Sequence, residues 1–402
     1  MSVDPRIIQS GYRPAGGARR TARGARAADV APFDPTLVFA LVALIAIGLV
    51  MVASASINIA DRHTGFPFYY LVRQTVFLGL GLSIGWLALT QPLRNWQSMA
   101  GPLLVAGYVL LVLVLLFGRE VNGATRWLPM GPFNLQVSEV FKIGMLLYLA
   151  DYIARRQGEV QTTIAGFLKP LLVMGAAGVL LLAQPDFGAT VVLTATVLGV
   201  LFLAGVRLWL FGILSGVVAA LAALLVVIAP YRVERLTAFL NPWADPFNSG
   251  FQLTQALIAF GRGEWFGVGL GSSIQKLFYL PEAHTDFVFA VIGEEFGLLG
   301  SLVVIGLFVL VVVRGLVIAR TAQVAERAFA AYLAYGVSIW FALQSFVNLG
   351  VNMGVLPTKG LTLPLISYGG SSMLATCLLM ALLLRVDHEN RFSERHQRRR
   401  GE

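Results

Sequence analysis

The chain has 402 residues, of which 57% are hydrophobic and only 13% charged, with a formal net charge of +9. Soluble globular domains carry about 25% charged residues, so a soluble fold is excluded and a polytopic membrane protein is expected. One cysteine, Cys377, excludes an intramolecular disulfide. Four scattered histidines without a Cys/His cluster argue against zinc, and no Gly-x4-Gly-Lys-Ser/Thr loop is present for ATP.

The charge gathers at the ends. Arg6, Arg13, Arg19, Arg20, Arg23 and Arg26 crowd an N-terminal arm, and Arg385, Arg391, Arg395, Arg398, Arg399 and Arg400 crowd the tail. Their juxtamembrane placement favours topology and anionic-lipid contact over nucleic acid. Asp4, Asp29 and Asp34 interrupt the arm and set it apart from an acid-poor transit peptide.

Between these ends, apolar runs recur, each long enough to cross ~30 Å of hydrocarbon. Inside lipid the backbone must satisfy its own hydrogen bonds, so the runs are predicted as helices. Ten are expected, at 36–57, 72–90, 99–118, 137–154, 166–183, 188–205, 208–229, 286–313, 328–350 and 363–385. Ala53-Ser54-Ala55-Ser56 mimics a signal-peptidase site, but the run before it is too long for a signal segment, so an uncleaved first helix is expected. The fold class is therefore an all-α polytopic bundle of ten transmembrane helices. Its expected parts are an arm over 1–32, a membrane domain over 33–386 and a basic tail over 387–402. An even helix count puts both termini on one side. That side collects the majority of Lys and Arg, which makes it cytoplasmic.

Most connections are short. The exception, 230–285, lies on the outer side between the seventh and eighth helices. Trp243, Phe247, Phe251, Trp265, Phe266, Phe278 and Tyr279 argue for order and for an interfacial position. Within it, Phe251 to Phe260 has the look of a short helix on or in the membrane surface.

Several polar groups converge on the outer half. Asp286 opens the eighth run, directly after the long loop. An ionisable group at a membrane mouth is a functional candidate. It is either a general base or a helix cap, and both readings stand at this level. Glu139 and Lys142 share one face of the fourth helix, as an insertion pair or as a substrate contact. Glu294 and Glu295 lie about 12–14 Å deeper than Asp286 at 1.5 Å per residue, which favours a structural or coupling role. Asp186, in Gln184-Pro185-Asp186-Phe187-Gly188, reads as a turn and cap. Arg126, Arg232, Arg235 and Lys359 run against the charge bias of the outer side and together suit a phosphate-bearing lipid head group. The sequence requires no cofactor, and no metal ligand set is legible.

Six stretches in order resemble the SEDS family of bacterial membrane glycosyltransferases: Asn122 to Leu128, Gln184 to Gly188, Asn241 to Gly250, His284 to Phe287, Gly293 to Gly297 and Pro357 to Ser372. The resemblance runs from about Phe33 to Arg385. Leu356-Pro357-Thr358-Lys359-Gly360 and Asn241-Pro242-Trp243-Ala244-Asp245-Pro246 are similar to its division-type members rather than its elongation-type ones. The resemblance implies polymerisation of lipid II into β-1,4 glycan strands, with inversion at the donor anomeric carbon and release of undecaprenyl pyrophosphate. It implies catalysis at Asp286 with support from Glu139 and Lys142. A class B penicillin-binding protein and divisome regulatory membrane proteins are the implied partners, and the septal inner membrane the implied location. With pyrophosphate as the leaving group, Arg126, Arg232, Arg235, Lys359 or a divalent cation, Mg or Mn, can replace a general acid. A lipid II flippase and a non-catalytic divisome scaffold are the rival readings.

Overall fold

A computed structural model describes residues 31–121, 123–131, 133–228, 230–277, 279–358 and 360–401. The six arginines of the N-terminal arm lie outside the described residues.

The chain begins with α1 (Pro35–Thr64), α2 (Tyr69–Thr90) and α3 (Leu93–Phe117), then β1 (Arg119–Val121), β2 (Ala124–Met130) and β3 (Phe133–Gln136). Next come α4 (Val137–Thr162), α5 (Ile164–Ala183), α6 (Phe187–Leu203) and α7 (Leu208–Ile228). The long loop holds α8 (Pro230–Leu240) and α9 (Phe251–Gly263), followed by α10 (Val288–Val324), α11 (Ala328–Asn352) and α12 (Gly370–Gly401). The ten predicted runs fall on α1 to α7 and α10 to α12. Eight of these are long and apolar enough to cross a membrane. Of the other two, α6 has 17 residues and α4 carries several charges, among them Glu139, Lys142 and Asp151. The protein is a multi-pass helical membrane protein.

Two features depart from the sequence expectation. The stretch after α3 is a small antiparallel sheet, ordered β1-β2-β3, that pairs Arg119 with Trp127 and Trp127 with Gln136. β1 has 3 residues and β3 has 4, too few for alternation to show. The long loop contains α9, close to the short helix expected there, and also α8, which was not expected.

Local chemistry sets the helix ends. Asp34 caps α1 by accepting from the Thr36 and Leu37 amides at 2.9 and 3.1 Å, with Pro35 as the first helical residue. The Thr163 hydroxyl caps α5 by accepting from the Gly166 amide at 3.0 Å. α11 and α12 are the most enclosed spans, whereas α7 has no fully buried residue and touches the core through Leu210, Phe211 and Leu214.

The basic end of α12 is tied to the bundle. The Asp34 amide donates to Asp387 at 2.6 Å, Arg391 pairs with Asp387 at 2.9 Å, and Arg314 pairs with Asp34. Arg327 and Arg385 both pair with Glu389, the latter at 3.1 Å. This network joins the starts of α1 and α11 to the part of the tail just past Val386.

α10 is broken at Gly297, where φ is 65° and ψ is −160°. The long loop repairs the break. The Leu298 and Leu299 amides donate to the Glu264 and Trp265 carbonyls at 2.9 and 3.1 Å. The Val268 and Gly269 amides donate to the Glu294 and Glu295 carbonyls at 3.0 and 3.1 Å. Irregular backbone at membrane depth is tolerated when protein satisfies it in this way. A Cβ on Gly297 would stand 2.5 Å from the Gly267 nitrogen, and the backbone angles are those of glycine. Gly297→Ala is expected to destabilise the protein by about 2–4 kcal/mol, seen as a lower melting temperature in detergent. Gly306→Ala, where a Cβ meets nothing within 4 Å, is the control. Equal melting of the two variants would contradict the role given to Gly297.

Candidate functional site

A cavity of about 1070 Å³ opens where α2, β2, β3, the start of α6, the end of the long loop and the segment before α12 meet. Asp286, Arg126, Asp186, Thr358, Gly360, Arg73 and Tyr70 are among its lining.

Asp286 is held by its backbone. Its carbonyl accepts from the Asn348 and Asn352 side-chain amides, both at 2.9 Å, and the Asn352 side-chain oxygen accepts from the Ala290 amide at 3.0 Å. Asn348 also donates to the Leu361 carbonyl at 2.6 Å. Two buried asparagines of α11 thus bind the Asp286 turn to the segment leading to α12. A third tie comes from the Ser367 hydroxyl, which donates to the Thr285 carbonyl at 2.5 Å.

The Asp286 carboxylate itself is uncommitted. The N-cap of α10 is Phe287, which has no side-chain cap bond, so Asp286 does not cap the helix. Among the described residues no donor reaches its oxygens. A Cβ on Gly360 would come within 3.2 Å of Oδ2, so the absence of a side chain there lets the backbone lie against the carboxylate. Asp286 is half-buried, open to the cavity and enclosed elsewhere. Burial pushes its pKa from 3.8 up to about 7; the Glu282 carboxylate adds to the rise and Arg126 opposes it. Such a group is poised to take a proton near neutrality.

Arg126, on β2, donates to the Gln184 carbonyl at 3.4 Å and to the Pro185 carbonyl. It is pinned to the turn before α6 with its charge directed at the cavity. Asp186 in that turn caps α6 by accepting from the Ala189 amide at 3.3 Å, and its Oδ2 is buried without a hydrogen-bond partner.

The other predicted residues lie elsewhere. Glu139 and Lys142 form an ion pair inside the bundle, with Nζ of Lys142 4.0 Å from the Trp340 ring centre. Neither is part of the cavity lining. Glu294 is fully buried and accepts from the Ser273 hydroxyl at 2.5 Å and from the Ile274 and Gln275 amides at 3.0 and 3.2 Å, with Arg262 3.4 Å away. Glu295 pairs with Lys276 at 2.6 Å and accepts from Ser54 at 2.8 Å. These two acids fasten the long loop to α10 beside the Gly297 break. Lys359 lies outside the described residues, between two cavity-lining neighbours, and so do the side chains of Arg232 and Arg235 on α8.

Residues that the sequence reading did not single out line the cavity, as Tyr70 and Tyr368 do, or stand behind its lining. Tyr70 packs on His284 with ring centres 4.6 Å apart and on Tyr368 at 5.1 Å. Gln74 is buried and donates to the Ser367 carbonyl at 3.1 Å. Asn348 and Asn352, four apart in an apolar helix, and Gln74 in another, carried a signal, since buried amides in a membrane bundle need partners. Among the described residues no group of three or more His, Cys, Asp or Glu is placed to hold a metal ion.

The sequence model of the FtsW, RodA and SpoVE family, described as cell cycle protein, matches residues 35–392. The "Probable peptidoglycan glycosyltransferase FtsW" of Coxiella burnetii is 54% identical over 359 residues, covering 89% of this chain and 96% of its own. Its namesake in Thioalkalivibrio sulfidiphilus is 58% identical over 358 residues, covering 89% and 90%. One solved structure, described as "Structural coordination of polymerization and crosslinking by a peptidoglycan synthase complex", superposes with a TM-score of 0.72 at 33% identity, over 89% of this chain and 98% of that chain. The crystal structure of the Thermus thermophilus rod shape determining protein RodA gives 0.66 at 33% identity, over 90% and 98%. A match along nearly the whole membrane domain, with relatives more than half identical through it, makes this chain a member of the FtsW/RodA/SpoVE family of cell cycle proteins.

Proposed function

We propose that this protein is a division-type peptidoglycan glycosyltransferase that polymerises lipid II, with Asp286 as its general base. The observation that carries the reading is the uncommitted Asp286 carboxylate, facing a cavity large enough for a lipid-linked saccharide and raised to a pKa of about 7. The 4-hydroxyl oxygen of the acceptor sugar bonds to the anomeric carbon of the donor. The bond from that carbon to the diphosphate oxygen breaks, its electron pair leaves with undecaprenyl diphosphate, and the hydroxyl proton passes to Asp286. The base acts on the face opposite the leaving group, so the product is inverted. Unlike most glycoside hydrolases, which use two carboxylates, this reaction needs no general acid, because diphosphate leaves readily.

Arg126 supplies fixed positive charge at the cavity, and Lys359, Arg232 and Arg235 are further candidates for contact with the diphosphate. Glu139 and Lys142 support the site from within the bundle rather than by touching substrate. Asp186 fits the kind of donor Mg or Mn would use, a carboxylate acting together with substrate phosphates. The unpartnered Oδ2 of Asp186 favours that fit, and such an ion would neutralise developing charge on the leaving group.

The relatedness to a peptidoglycan synthase complex supports a class B penicillin-binding protein as the partner. Divisome regulators, the septal inner membrane and cytoplasmic termini complete the reading.

The test is polymer synthesis by the full-length protein, purified in detergent with its partner and given lipid II. Glycan strands are expected. Detergent removes the two sides of the membrane, so a flippase or a scaffold yields no strands, and that result would overturn the proposal.

A further inference from the structure

The cavity contains a cation that pairs with no carboxylate among the described residues. Arg73 lies one turn inside the start of α2. It donates to the Tyr69 hydroxyl at 2.9 Å, with its guanidinium carbon 5.5 Å from the Tyr69 ring centre and 6.0 Å from that of Phe77. Among the described residues no carboxylate lies within 4.0 Å of it. Of the other described cations on the outer half, Arg262 pairs with Glu294 and Lys276 with Glu295, and Arg126 donates to two carbonyls. Guanidinium offers five N–H donors in a planar fork, and here one is used by a side chain.

A half-buried cation at membrane depth is costly without a counter-charge. The flanking rings offset part of that cost, and an anion would supply the rest. The surroundings say which anion. Above Arg73 stand Tyr69 and Tyr70, residues suited to the head-group level. One turn below it, Phe77 meets Phe133 edge-on, with ring centres 6.5 Å apart, as an apolar wall. This order suits an amphiphile whose phosphates stop at Arg73 and whose chain continues past Phe77. A reaction that joins two lipid-linked sugars also has two diphosphates to hold, one leaving and one retained.

We propose that Arg73, framed by Tyr69 and Phe77, is a subsite for the diphosphate of a polyprenyl-linked substrate, distinct from the Arg126 wall. The inference rests on the glycosyl-transfer reading of the cavity. The step is binding only, by charge-assisted hydrogen bonds to phosphate oxygens.

The test is equilibrium binding to the full-length protein in phosphatidylcholine nanodiscs, with undecaprenyl diphosphate as the charged probe and undecaprenol as the neutral one. Arg73→Gln is expected to weaken diphosphate binding about 10–100-fold, the range for hydrogen bonds to charged groups, and to leave undecaprenol binding unchanged. Arg119→Gln, at an exposed site on β1, is expected to bind as wild type. Should Arg73→Gln lose its fold, Arg73→Lys carries the test. It keeps the charge and drops the fork, so weaker binding is expected and unchanged binding overturns the subsite. Wild-type affinity in folded Arg73→Gln would overturn it too. So would displacement of the probe by an equal amount of phosphatidylglycerol, which would mark a general head-group contact. Turnover of Asp286→Asn is independent of this result. If that variant stays active while Arg73→Gln loses binding, the base assignment fails and the subsite stands.

Discussion

Asp286→Asn is expected to reduce polymer formed per folded molecule by about 10²–10⁴-fold, the usual worth of a general base. Asparagine is nearly isosteric and Asn348 and Asn352 hold the backbone carbonyl, not the carboxylate. Insertion, abundance and melting temperature should therefore stay near wild type, and lipid II binding should fall far less than turnover. A capping residue would behave in the opposite way, losing stability and keeping activity per folded molecule. Because α10 takes no side-chain cap from Asp286, that second pattern is not expected. Wild-type turnover in this variant would remove Asp286 from the chemistry.

The largest stability effect is expected at the clasp between the long loop and α10. The side chains of Lys276 and Glu295 are 5% and 0% exposed, and Ser54 of α1 bonds to both. Removing one member of a buried pair strands the other, which costs about 3–5 kcal/mol. Lys276→Met is expected to fall in that range by thermal melting in detergent. A double variant, Lys276→Met with Glu295→Leu, should recover most of the loss, since an apolar pair of similar size avoids the stranded charge. Additive losses in the double variant would show that the two residues do not act as a pair. The clasp also seats the 264–269 segment in the Gly297 break, so loosening it should expose that segment to proteolysis before the rest of the bundle.

The membrane spans were legible because hydrophobic length is a property of each run alone. The sheet before α4 was not, because its strands of 3, 7 and 4 residues define no period. The break in α10 was equally hidden. Gly293-Glu294-Glu295-Phe296-Gly297 carries two acids and two glycines, but the partners that make it a break, Glu264, Trp265 and Lys276, lie tens of residues earlier in the chain. The same limit governs the site. Asp286 stood out because it borders an apolar run, and Arg126 because its charge opposes the topological bias. Glu139 and Lys142 stood out as strongly, yet they neutralise each other under Trp340 and leave the cavity to others. Arg73 gave the same signal as Arg126. It becomes distinctive only when the folded chain shows Arg262 and Lys276 already paired.

The pH dependence of single-turnover transfer by the purified, partner-bound protein tests the central claim most directly. Asp286 must be ionised to accept the proton, and its pKa is raised to about 7. The account therefore predicts a rate that climbs about tenfold per pH unit below that value and levels above it, with the acid limb absent from the residual rate of Asp286→Asn. A wild-type rate that is flat from pH 5 to 8, or a limb that survives in the variant, would contradict it.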